Sequence, residues 1–137
     1  MNYVDTFIAI AGDSRATEGR VPPERAGGKT VAQWEYELIS TQPYRYTQQE
    51  VQFRVHCARR GTEVPAGDLS QTAEWKAFFA RPMACLRTSP LARTYGWGFH
   101  FDAQGRVALV GVGTPEYARW ASDRTLLQTS AMRSRRA

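Results

Sequence analysis

The sequence predicts an α+β domain: a small, mainly antiparallel sheet centred on a hairpin at residues 95–112, with three or four helices packed on it. Three observations lead there. Residues 95–102 alternate strictly, with Tyr95, Trp97, Phe99 and Phe101 on one side of an extended chain and Gly96, Gly98, His100 and Asp102 on the other. The loop Ala103-Gln104-Gly105 then leads into the apolar, β-branched run 106–112, the pattern of an antiparallel hairpin. Elsewhere, Thr30 with Gln33 and Thr47 with Glu50 have capping-box spacing, and Thr114-Pro115-Glu116 sets a cap, a helix-starting proline and a first-turn acid in order.

In chain order, residues 3–11 are short, apolar and rich in β-branched and aromatic members, which predicts a strand beside the hairpin. Residues 12–29 hold Gly19, Gly27, Gly28 and the Pro22-Pro23 pair, an irregular connector long enough to close over the glycine side of the hairpin like a lid. Residues 31–41 read as a helix with Val31, Trp34, Leu38 and Thr41 along one side, Gln33, Glu35 and Glu37 opposite, and Pro43 as the stop. Residues 47–58 carry two periods at once. Val51, Val55 and Ala58 recur as on a helix, whereas Val51, Phe53, Val55 and Cys57 alternate as on a strand; we assign a helix.

Residues 72–80 read as a short amphipathic helix with Trp75, Phe78 and Phe79 inward, ended by Pro82. Residues 86–94 read as a polar connector carrying Arg87, Arg93 and the hydroxyls of Thr88, Ser89 and Thr94, and residues 114–122 as a further helix. Residues 126–137 read as a basic C-terminal arm, docked or loose.

With 137 residues, 42% hydrophobic and 12% aromatic, the chain is expected to form one globular domain whose core needs no disulfides. Its net charge of +5 admits an acidic or nucleic-acid partner, but much of the excess lies in Arg59-Arg60 and in Arg133-Ser134-Arg135-Arg136. Cys57 and Cys85 stand far apart without metal-ligand spacing, and no basic-then-apolar leader opens the chain, so a reduced cytoplasmic location is expected. No apolar run approaches the roughly 20 residues of a bilayer span.

Several chemistries drop out. No Gly-x-Ser-x-Gly elbow, glycine-rich phosphate loop or dinucleotide fingerprint occurs. A metal would require His56, Cys57, Cys85, His100 and Asp102 to converge, and neither a metal nor another cofactor is expected. What the residues do suggest is a pocket for a small polar or anionic ligand. Gly96 and Gly98 would leave a bare floor on the hairpin. His100, oriented by Asp102, would transfer protons beside it. Arg87, Ser89 and Arg93 would hold a carboxylate or phosphate, with Tyr95 and Glu35 as further contributors. Cys85 would act as a nucleophile only within reach of His100. One alternative is a helix-turn-helix module in which residues 47–58 read nucleic acid through Gln48, Gln52, Arg54 and His56. A purely structural or interaction domain is the other.

The TFIAIA strand, the YTQQEVQFRVH segment, the CLRTSPLARTYGWGFHFD core and the closing AMRSRR together resemble a family of small bacterial proteins of unknown function, over nearly the whole chain. The resemblance implies that the YGWGFHFD strand, with Gly96, Gly98, His100 and Asp102, is a feature of the family. It implies no reaction, cofactor or substrate.

Overall fold

A computed structural model of the chain describes residues 1–134; Arg135 and Arg136 of the expected basic arm lie outside the described residues. Among the described residues the fold is α+β, with four strands and five α-helices. The strands are β1 (Thr6–Ala9), β2 (Trp97–Phe101), β3 (Val107–Gly111) and β4 (Leu127–Ser130). The helices are α1 (Val31–Thr41), α2 (Gln48–Arg60), α3 (Ala73–Phe78), α4 (Pro90–Arg93) and α5 (Pro115–Ala121). The sheet order is β3-β2-β1-β4.

The β2–β3 hairpin forms as expected and β1 lies antiparallel to β2, pairing Phe7 with His100 and Ile8 with Phe99. The strand begins only at Trp97, because Gly96 adopts a φ of +81° and breaks the extended run. Tyr95 therefore sits before the strand, where its carbonyl accepts a hydrogen bond from the Arg20 N–H. The polar arm holds a strand that its sequence does not announce: β4 runs parallel to β1, bonded from the Leu127 N–H to the Asp5 carbonyl and from the Ala131 N–H to the Ala9 carbonyl.

Both capping boxes are made, at Thr30 and at Thr47, and Gly61 ends α2 in the left-handed conformation. The conflict of periods in α2 has a physical origin. Val51 and Val55 join the main core with Ile8, Ile39, Leu91, Phe99 and Phe101, while Phe53 and Cys57 belong to a second cluster with Leu69, Trp75 and Phe78. A helix buried on two sides hides alternate residues and so imitates a strand.

Two expectations are corrected here. The deeply buried side of α1 is Ala32, Glu35 and Ile39 rather than Val31, Trp34, Leu38 and Thr41, so the helix is rotated and turns a carboxyl inward. The supposed polar connector 86–94 is a 3-10 turn followed by α4, and it buries Leu86, Leu91 and Ala92.

Candidate functional site

The expected pocket over the hairpin glycines is filled by the protein itself. A Cβ at position 98 would stand 2.9 Å from the Ile8 carbonyl oxygen and 3.0 Å from the ring of Tyr117 on α5. The backbone at Glu18 lies against Gly96, and the Thr17 carbonyl lies 2.6 Å from where a Cβ at Gly113 would be. The connector does cover the glycines, as packing in place of a ligand. α5 covers the rest of that sheet face: Tyr117 meets Phe7 edge to face at 5.1 Å, and its hydroxyl accepts from the Ile10 N–H.

His100 is 6% exposed, stacked on Trp120 at 3.8 Å with the rings 9° apart, and joined at Nδ1 to the Tyr44 hydroxyl at 2.7 Å. Burial lowers its pKa, opposed by the charges of Asp102, Glu116 and Asp123. Asp102 does not orient it. Its Oδ1 accepts from the N–H groups of Gln104 and Arg106 and so shapes the hairpin loop. The expected catalytic pair thus holds α5 and the turn, and Cys85 takes its hydrogen bond from the Tyr3 hydroxyl at 3.3 Å instead of from His100. Burial, followed by the neighbouring Cys85, pushes the Tyr3 phenol up to about 12.

The loop residues divide. Arg87 donates from Nε to the Ser130 carbonyl at 2.7 Å, which ties the 3-10 turn to β4. Arg93 lies elsewhere, at the end of α4. Ser89 and Glu35 are brought together.

Ser89 caps α4, accepting from the Leu91 N–H at 3.1 Å, and its hydroxyl donates to Glu35 Oε1 at 2.6 Å. Both are buried, at 4% and 6% exposure. Desolvation raises the Glu35 pKa to about 7, partly offset by the Ser89 hydrogen bond. Among the described residues no cation pairs with this carboxyl.

These two side chains line a cleft of about 350 Å³ between α1, α2 and the segment leading into α4. Its walls include Val55, Phe78 and Leu86, and Arg59, Arg81 and His56 bring positive or titratable groups to it. The His56 pKa is lowered by burial and by Arg60, Arg59 and Arg81. Sequence reasoning placed Glu35 on the polar side of α1. Only its i, i+3, i+7 relation to Ala32 and Ile39 signals the inward face.

No group of three or more His, Cys, Asp or Glu side chains capable of holding a metal occurs among the described residues. Nor is any helix among them long and apolar enough to cross a membrane. Of the four residues that a groove-reading second helix would present, Gln48 bonds the Met1 carbonyl and the Leu86 N–H. Arg54 stacks over the Tyr46 ring and His56 lies against Phe78. Neither a curated protein nor a solved structure matches the chain. It belongs to a family of unknown function, DUF6157, whose model matches residues 1–137.

Proposed function

We propose that the protein binds a small polar or anionic molecule in the cleft floored by Glu35 and Ser89, with Glu35 as the group that gives or takes a proton there. One observation carries this reading: a carboxyl turned into the interior at the wall of a cleft and held, among the described residues, by a single hydroxyl and no cation. Isolated buried carboxyls are costly, and a carboxyl whose pKa lies near neutrality is matched to acid–base work. Protonated, Glu35 donates to an oxygen of the ligand; ionised, it accepts. Arg59 and Arg81 favour an anionic substituent, and Val55, Phe78 and Leu86 a short apolar body. The proton-transfer role that the sequence suggests for His100 passes to Glu35 in this reading.

The test is a thermal-shift screen of small carboxylic acids, amides and phosphate esters at pH 6 and pH 8, run on the native protein, Glu35→Gln and His100→Phe. A compound that raises Tm in the native protein and in His100→Phe but not in Glu35→Gln supports the cleft. A compound whose effect survives in Glu35→Gln and vanishes in His100→Phe returns the site to the hairpin.

A further inference from the structure

We infer a second site, for a small oxyanion, at Arg93. This arginine closes the short helix that Ser89 opens, and it lines a cavity of about 470 Å³ between α4 and residues 13–20. Its Nε is shut off from solvent and meets no acceptor, and among the described residues its guanidinium has no ion pair or ring contact. A second arginine in the molecule, Arg54, shares the unmet Nε, but its guanidinium rests on the Tyr46 ring at 4.5 Å. Among the described residues Arg93 has no such neighbour. A partly buried guanidinium without an acceptor is costly, and its planar fork is shaped for two oxygens of one carboxylate or phosphoryl group taken side-on.

The rest of the cavity fits an anion. Arg15 and Arg20 stand on the loop that faces Arg93, and the hydroxyls of Thr17 and Thr94 add donors. Arg20 is anchored there, its Nη2 donating to the Thr94 carbonyl at 3.5 Å and its N–H to the Tyr95 carbonyl at 2.9 Å. Two carboxylates share the cavity, Asp13 and Glu18, and the Ser134 N–H already bonds Asp13 Oδ2 at 3.0 Å. Among the described residues that line it, three guanidiniums stand against two carboxylates, an excess of positive charge. The site is separate from the Glu35 cleft and does not depend on it.

Sodium phosphate, and in a second arm sodium acetate, is titrated at constant ionic strength into 15N-labelled full-length protein while the arginine Nε–Hε signals are followed. The Arg93 signal is identified by its absence in R93Q. The expected result is a saturable shift of that signal with one or both anions, unchanged in R124Q; in R93K, which keeps the charge but loses the fork and is followed through its remaining arginine signals, the affinity falls about ten-fold or more. Saturation by acetate alone marks a carboxylate site, and by phosphate alone a phosphoryl site. A drift that never saturates and is matched by chloride overturns the proposal. Saturable binding that persists unchanged in R93K, or in a folded R93Q followed through its remaining signals, overturns it too.

Discussion

At the scale of single residues, Glu35 makes the fold pH-dependent, and the sign follows from its environment. Unfolded, the carboxyl ionises near 4.5; folded, it keeps its proton until about pH 7. Below the lower value both states are protonated and Glu35 costs nothing. As pH rises from 4.5 to 7 the unfolded chain ionises while the folded one does not, and stability falls by an amount on the order of 3 kcal/mol. His100 acts oppositely, since its lowered pKa costs stability as pH falls through its unfolded value of 6.5. A difference between two proteins isolates Glu35. Glu35→Gln can still accept from Ser89 and has no proton to lose, so its urea midpoint should gain on that of the native protein between pH 5 and pH 8. A constant difference across that range would mean that the carboxyl titrates as it does in water.

At the scale of elements, α5 is informative because it buries none of its own residues fully and yet decides what the hairpin glycines do. It is held by Tyr117 over Gly98 and by Trp120 on His100. Gly98→Ala forces a methyl against the Ile8 carbonyl, which belongs to the paired strand and cannot move aside. We expect a loss of about 1–3 kcal/mol in chemical denaturation. An unchanged midpoint would show that α5 and β1 leave room there. The glycine pattern did mark a close approach, as the sequence suggested. The visitor is the protein's own ring and backbone.

At the scale of the whole molecule, the C-terminal strand joins the two ends of the chain, since β4 completes the sheet only by pairing with β1. Because the N–H groups of Leu127 and Ala131 point to β1, that of Thr129 does so by the alternation of the ladder. Thr129→Pro should therefore cost on the order of 2–3 kcal/mol, well beyond Thr129→Ala. Equal urea midpoints for the two variants would show that β4 adds nothing to the fold. The strand was invisible in the sequence because Leu127 is 61% exposed and Gln128, Thr129 and Ser130 are polar. No apolar period betrays a strand that packs through its backbone.

What the sequence determined by itself was local: the two capped helices, the hairpin and its aromatic side, and the cap-proline-acid start of α5. Short-range hydrogen bonds and side-chain periodicity write those directly into neighbouring positions. Only the tertiary structure decided which side of α1 turns inward, that α2 is buried twice, and that Glu35 meets Ser89 across 54 positions of chain. Those outcomes depend on which distant surfaces share the same space, a property of packing that no local spacing of residues encodes.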